Sequence, residues 1–325
     1  MSPWAGRRVL VTGATGLVGS WLVPALLERG ADVVALVRDA DPQSELIRSR
    51  TIDRIAVVNG VVEDLGSVER ALVHHRVDTV FHLAAQTQVR AAYRAPFETF
   101  ESNVRGTYTL LEACRRHRDA VERIVVASSD KAYGEAVVLP YTEDTPLDAI
   151  FPYDTSKLCG DFIARSYFRT YSLPVTIARC GNIYGGGDLN WDRIVPGTVR
   201  SLLAGQRPLI RSDGTLVRDY VYVKEVVSAY LDLAGQVHRD EVKGQAFNFS
   251  AAKPLSVLEL VEALVKTAGV RLEPVVEGRH VAEIQAQFLS SERARRVLGW
   301  EARFPMEQAL AETVEWYRSF LGGTR

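Results

Sequence analysis

The chain has 325 residues, 47% of them hydrophobic and 24% charged, and its 39 basic and 40 acidic side chains leave a formal net charge of −1. Such a composition builds a full-sized globular core and excludes a basic surface made for nucleic acid or an anionic membrane. No apolar run reaches bilayer length, and the opening Met1–Arg8 lacks the apolar stretch of an export signal, so a cytoplasmic protein is expected.

In chain order, the first half alternates short β-branched runs with longer amphipathic stretches, the pattern of an α/β fold with a doubly wound parallel sheet. Predicted strands are Arg8–Val11, Val33–Val37, Ile55–Val58, Thr79–Leu83, Arg123–Ala127 and Val175–Ala178. Helices are predicted notably over Leu17–Glu28, Phe97–Arg116 and Tyr153–Tyr171. Gly185-Gly186-Gly187 reads as a flexible hinge. Beyond it come a helix over Val195–Leu203, a short strand pair around Leu209–Ile210 and Leu216–Tyr222, and closing helices near Leu255–Ala268 and Met306–Phe320. Cys114, Cys159 and Cys180 are widely spaced, odd in number and lack a CxxC pair. They are expected as buried reduced thiols, and six scattered histidines suggest no metal centre.

The segment Val9–Gly19 runs from a buried strand through Gly13-Ala14-Thr15-Gly16-Leu17-Val18-Gly19 into a helix. Gly13 allows a tight turn, Gly16 lets the backbone approach a pyrophosphate, and Gly19 permits close packing of helix on sheet. Opening the first helix after the first strand, this triplet meets the context of a dinucleotide-binding loop; the alternative is an ordinary strand–helix turn. The second strand ends in Leu36-Val37-Arg38-Asp39. Arg38 suits the 2′-phosphate of NADP, whereas Asp39, one place late, could bond the ribose hydroxyl of NAD, and both cofactors stay open.

Ser129-Asp130-Lys131 follow the fifth predicted strand, and Tyr153 and Lys157 open the helix after it. Four apart on a helix, a phenol and an ammonium share one face. The ammonium can hold the phenol ionised, and a phenolate can take a proton from a sugar hydroxyl. Alone, the pair would read as surface residues of an amphipathic helix. The glycine loop upstream gives it a nicotinamide to work with.

With these segments stand His82-Leu83-Ala84-Ala85-Gln86, Asn103-Val104-Arg105-Gly106-Thr107, Ser128–Gly134, Arg179–Gly185, Arg218–Val223 and Leu298-Gly299-Trp300. Together they make nearly the whole chain similar to the extended short-chain dehydrogenase/reductases, in their nucleotide-sugar epimerase and dehydratase branch. The resemblance implies a Rossmann domain holding NAD or NADP over 1–184 and about 225–249. It also implies a smaller nucleotide-sugar lobe over 185–224 and 250–325. Implied cofactor contacts are Gly13, Thr15, Gly16, Leu17, Val18, Gly19, Arg38, Asp64, Leu65, Leu83, Ala84, Ala85, Asn103, Tyr153 and Lys157. Gln86, Asn182, Arg193 and Arg218 are implied for a nucleoside-diphosphate sugar, with Asn182 and Arg218 on its diphosphate. A guanidinium fork matches phosphate oxygens; the alternative for Arg218 is an ion pair with Asp219. Thr87, Phe249 and His280 are further candidates for the pocket wall. The resemblance implies a homodimer through Phe97–Arg116 and Tyr153–Tyr171, using Phe100, Tyr108, Leu111, Phe162 and Phe168, unless these face only the internal sheet.

Enzymes of this branch begin alike, oxidising the sugar at C4 with Ser129, Tyr153 and Lys157 in the catalytic roles. A 4-epimerase then returns the hydride to the other face. A 4,6-dehydratase needs in addition a base at C5 and an acid at the C6 hydroxyl. Asp130-Lys131 departs from the Thr-Asp-Glu of many dehydratases and is similar to the Asp-Lys pair of CDP-glucose 4,6-dehydratases. The neutral and ionised forms of this pair hold the same number of protons, so it can present one donor and one acceptor. A lysine base requires its ordinary pKa of about 10.4 to fall, by burial and the neighbouring Lys157 charge; the alternative is a plain salt bridge. The expected function is a nucleoside-diphosphate-hexose 4,6-dehydratase. A 4-epimerase, a 4-keto-sugar reductase and a catalytically silent NAD(P)-binding protein remain as alternatives.

Overall fold

Apolar runs too short for helices, such as Val9-Leu10-Val11 and Val33-Val34-Ala35, form strands buried on both faces of a parallel sheet. The computed structural model describes residues 2–279 and 284–322. Its strands begin with β1 (Arg8–Thr12), β2 (Asp32–Val37), β3 (Ala56–Asn59), β4 (Thr79–His82), β5 (Arg123–Ser129) and β6 (Val175–Cys180). They continue with β7 (Asn182–Tyr184), β8 (Leu209–Ile210), β9 (Val217–Tyr222), β10 (Ala246–Phe249), β11 (Pro254–Ser256), β12 (Val275–Val276) and β13 (Ala286–Gln287). The helices are α1 (Leu17–Glu28), α2 (Glu45–Arg48), α3 (Leu65–His74), α4 (Val89–Arg94), α5 (Pro96–Phe100) and α6 (Gly106–Arg116). After them come α7 (Pro152–Tyr171), α8 (Ile194–Leu203), α9 (Val223–Gln236), α10 (Val257–Ala268), α11 (Glu292–Leu298) and α12 (Met306–Gly322).

Seven parallel strands lie in the order β10-β6-β5-β4-β1-β2-β3. The winding reverses between β1 and β4, and a crevice at the carboxyl ends of strands on either side of such a reversal is where open α/β sheets take ligands. One face of the sheet buries side chains of α1 and α9, the other those of α3 and α6. A second, small sheet places β11, β9 and β13 side by side, with β7 on β9, and α8, α10 and α12 close a third core against it. Val18 and Trp21 of α1 pack against both the first core and this third one, so the glycine loop sits at the seam. The start of α10 is set by a reciprocal cap between Ser256 and Glu259, and its end by Gly269 in the left-handed region.

Four expectations change. Helix 97–116 is broken: α5 passes through a π-helical turn over Glu101–Arg105 before α6 begins. That turn brings the buried Asn103 amide onto the backbone of Gln86 and onto Ser156, a local gain that offsets the irregular helical bonding. Gly185–Gly187 is a packing site, not a flexible hinge: a Cβ on Gly186 would lie 2.2 Å from the Trp316 ring, and the Gly186 carbonyl accepts from Trp21 Nε1 at 2.7 Å. Within 250–325, α11 and Trp300 leave the small lobe, burying Ala294, Leu298 and Trp300 in the core that α1 and α9 form on the large sheet. Finally, Cys159 is only half-buried, while Cys114 and Cys180 are buried, and all three are free thiols.

Candidate active site

β1 ends at Thr12 and the chain turns at Gly13 with φ +71°. A Cβ at Gly13 would stand 2.7 Å from the Ala84 nitrogen, and one at Gly19 2.3 Å from the Gly13 oxygen. Both positions therefore exclude a side chain: the turn is pressed against the end of β4, and α1 against the turn itself. Thr12 Oγ1 accepts from the Leu83 and Ala84 amides, each at 3.2 Å, and lies 2.9 Å from His82 Nδ1. Burial, aided by the Lys157 charge, pushes His82 down to about 3, so it works as a neutral spacer reaching Thr107 Oγ1 at 3.1 Å. α1 starts at Gly16 with no capping side chain and no acid in its first turn. Its first amides thus point at whatever anion enters, a cradle suited to a dinucleotide pyrophosphate.

The remaining cofactor candidates divide. Arg38 and Asp39 are exposed and ion-paired at 2.6 Å at the tip of β2. The Asp64 carboxylate caps α3, accepting from Ser67 N at 2.9 Å and Ser67 Oγ at 2.5 Å, while Leu65 packs on the core beneath. Asn103 Oδ1 accepts from Gln86 N at 2.7 Å, and its Nδ2 donates to Gln86 O at 3.0 Å and Ser156 Oγ at 2.8 Å. It ties the loop after β4 to the helix that carries Tyr153. Thr15 offers its carbonyl to Ser44 Oγ at 2.8 Å.

β5 runs two residues beyond its predicted end, delivering Ser129 in extended conformation to a single helical turn over Asp130–Tyr133. Ser129 Oγ donates to Asp130 Oδ1 at 3.0 Å, accepts from Lys131 N at 3.2 Å, and is hydrogen-bonded with the Tyr153 phenol. Asp130 is 1% exposed. Its Oδ2 is buried and meets no protein partner. Lys131 Nζ donates to Gln287 Oε1, and Gln287 Nε2 donates to the Asp130 carbonyl at 3.2 Å. Lys157 Nζ donates to the Ala127 carbonyl at 3.0 Å, and burial brings its ammonium down to about 8. Tyr153 is pushed above the ordinary phenol value by burial and then by the Asp130 charge, against which Ser129 and Arg193 act.

Further polar residues surround this turn, of which Asp154 and Gln287 carry no sequence signal. Asp154, beside Tyr153 and buried, is raised to about 6, chiefly by desolvation, with Lys131 opposing and Asp130 reinforcing. Asp219 is likewise raised to about 6 by burial, with the Asp130 charge again reinforcing. The Asp130 charge thus reaches both carboxyls, and Asp154 also feels Lys131. The guanidinium of buried Arg179 grips Asp161 at 2.8 and 2.9 Å and donates to the Tyr133 hydroxyl at 2.7 Å, while Ser128 Oγ donates to Asp161 at 3.0 Å. This network locks α7 to β5, β6 and the turn that holds Asp130. Nothing in the spacing announces Gln287, because β13 is two residues long and lies more than 150 residues from Lys131.

Among the substrate candidates, Arg193 donates to Asp188 at 2.8 Å and to the Ile183 carbonyl at 2.9 Å, and its charge reaches Tyr153. Asn182 lies on β7 opposite Tyr220. Arg218 is buried and donates to the Val217 carbonyl at 2.8 Å, whereas Asp219 accepts from Leu289 N at 3.3 Å on the opposite face of β9. That alternation disfavours the direct ion pair between the two. Gln86 Oε1 accepts from Gln88 N at 2.7 Å, and Thr87 is exposed. Phe249 is a core residue rather than a pocket wall, its ring edge-on to Trp300 at 5.0 Å. His280 lies outside the described residues.

A family model described as the NAD dependent epimerase/dehydratase family matches residues 9–249. CDP-glucose 4,6-dehydratase of Salmonella typhimurium is 30% identical over 98% of this chain and 93% of its own length. The crystal structure of UDP-glucose 4-epimerase from Thermotoga maritima, with UDP-glucose, is similar with a TM-score of 0.88 and 30% identity, covering 97% of this chain and 99% of that one. A dTDP-glucose 4,6-dehydratase from Streptomyces venezuelae, solved with NAD, has a TM-score of 0.86 and 29% identity over 97% of this chain and 98% of that one.

Proposed function

The chain belongs to the NAD-dependent epimerase/dehydratase family, and within it we propose a nucleoside-diphosphate-hexose 4,6-dehydratase. Dehydratases and epimerases resemble it equally, so likeness does not choose between them. The observation that carries the choice is the Asp130–Lys131 sequence pair, set beside Ser129 and Tyr153, with one buried carboxylate oxygen of Asp130 lacking a hydrogen-bond partner in the protein. An epimerase has no use for an extra donor and acceptor at that place.

Bound NAD would take the hydride from C4, return it at C6, and favour the Tyr153 phenolate through its positive charge. Tyr153 accepts the proton of the 4-hydroxyl, with the Ser129 hydroxyl holding the phenol in register. The ketone at C4 acidifies C5–H. One member of the Asp130–Lys131 pair removes the C5 proton as the other protonates the C6 hydroxyl and water departs; C5 then takes a proton from the member that removed it, as C6 receives the hydride. Asn182 and Arg218 on the small sheet, with Arg193 beside Tyr153, are assigned to the diphosphate end. We assign the large sheet to NAD and the small one, with α8, α10 and α12, to the sugar nucleotide. Asp39 neutralises Arg38, which fits NAD better than a 2′-phosphate. Phe97, Phe100, Tyr108 and Phe162 form an exposed aromatic face on α5, α6 and α7 that suits a second copy of the chain.

The test is incubation of the NAD-loaded protein with CDP-, UDP-, GDP- and dTDP-hexoses, followed by mass and configuration of the products. Loss of one water supports the proposal. Unchanged mass with inversion at C4 establishes the epimerase instead.

A further inference from the structure

We infer that Gln287 is a positioning residue for Lys131, one that couples the acid–base pair to the small sheet carrying Arg218. The inference rests on the dehydratase reading above.

Gln287 is 0% exposed although its amide is polar. A buried amide persists where its partners satisfy it, and here both ends are engaged. An ammonium only donates and a carbonyl only accepts, so Lys131 must face Oε1 and the Asp130 carbonyl must face Nε2. The amide can therefore sit only one way round, spanning consecutive residues of the reactive turn. It fixes the lysine head group relative to the very residue with which it must share protons.

The backbone that carries the amide is held from two sides. β13 pairs with β9, setting Gln287 opposite Arg218 in register. On its other flank, Tyr141 N donates to the Phe288 carbonyl at 2.9 Å and Ser290 N to the Tyr141 carbonyl at 2.8 Å. Leu289 N donates to Asp219. The Gln287 backbone thus cannot shift without unpairing the strand beside Arg218, and the small sheet takes part in placing Lys131. Near Lys131 the carboxyl of Asp154 would otherwise draw the ammonium. A neutral acceptor holds it without neutralising it. Oxidation at C4 does not involve Lys131, so the coupling should act on the C5 and C6 steps alone.

The experiment compares wild type with Gln287→Met, similar in volume but without the amide, and with Gln287→Glu, which restores an acceptor. Three readouts are taken on the NAD-loaded protein: reduced nicotinamide by near-ultraviolet absorbance, solvent deuterium at C5, and water loss by mass. In Gln287→Met we expect water loss and C5 exchange to fall about tenfold or more, KM to stay within about twofold, and reduced nicotinamide to accumulate. Gln287→Glu should recover part of the rate. Equal slowing of oxidation and water loss, or undiminished water loss, overturns the inference. A readout without substrate separates it from the functional reading: competitive acetylation of Lys131, mapped by mass spectrometry, should rise in Gln287→Met. Should wild type dehydrate no sugar nucleotide, the functional reading falls, while unchanged acetylation overturns the positioning role by itself. If Gln287→Met fails to bind NAD, Gln287→Asn, one methylene shorter, takes its place in both measurements.

Discussion

Ser129, Tyr153 and Lys157 were legible because their chemistry and their chain spacing coincide: a strand end and a helix face are local objects. Their electrostatics were not. Lys157 donates a hydrogen bond to the Ala127 carbonyl, and the groups acting against the raised phenol of Tyr153 are Ser129 and Arg193, which come from elsewhere in the fold. Replacing Tyr153 by Phe should abolish turnover while NAD affinity, followed by fluorescence titration, stays within about twofold. Lys131→Met should divide the reaction, retaining nicotinamide reduction and losing water elimination; parallel loss of both would remove Lys131 from the second half. Asp154 makes a separate thermodynamic prediction. Its folded value of about 6 lies above the ordinary 3.8, so the folded state binds the proton more tightly than the unfolded one. Its contribution is most favourable below about pH 4, declines as pH rises to about 6, and is an unfavourable constant of about 3 kcal/mol beyond. Asp154→Asn should accordingly raise Tm by a few degrees at pH 7 and leave it nearly unchanged at pH 4, measured by calorimetry.

At the scale of elements, the alternation of β-branched runs with amphipathic stretches located every strand of the large sheet up to β6. A buried parallel strand needs little beyond a short apolar run, which is why this signal is clear. The interruption of helix 97–116 was invisible, since it answers to Asn103 reaching Gln86 and Ser156 across the fold. Gly185–Gly187 reads as freedom when taken alone, and only the arrival of Trp316 on α12 turns it into a close approach. The glycine loop behaves differently, because its context is one strand and one helix that adjoin in sequence. Gly13→Ala would force a methyl within 2.7 Å of the Ala84 nitrogen at a positive φ. Expect a lower Tm and a loss of NAD affinity of about tenfold or more, read by titration. Retained affinity would show that the turn can relax.

At the scale of the whole molecule, Phe97 is 71% exposed and Tyr108 and Phe162 are also open, whereas Leu111 is fully buried and Phe168 packs on Gly244. Of the residues expected at a dimer face, those two serve the interior. Sedimentation at micromolar concentration should give a dimer, and Phe97→Asp should shift it to monomer while the monomer keeps its fold by circular dichroism. By itself the sequence determined the parallel sheet, the strand–turn–helix around the glycine loop and the placing of Ser129 at a strand end and of Tyr153 and Lys157 on one helix, because each is written in residues a few positions apart, where strand and helix periodicities act. Only the tertiary structure decided what surrounds Lys131. Gln287 and Asp154 arrive there from β13 and α7, with Asp219 of β9 acting on Asp130 next to it, and contacts between elements so distant in the chain depend on how sheets and lobes pack, which no local period encodes.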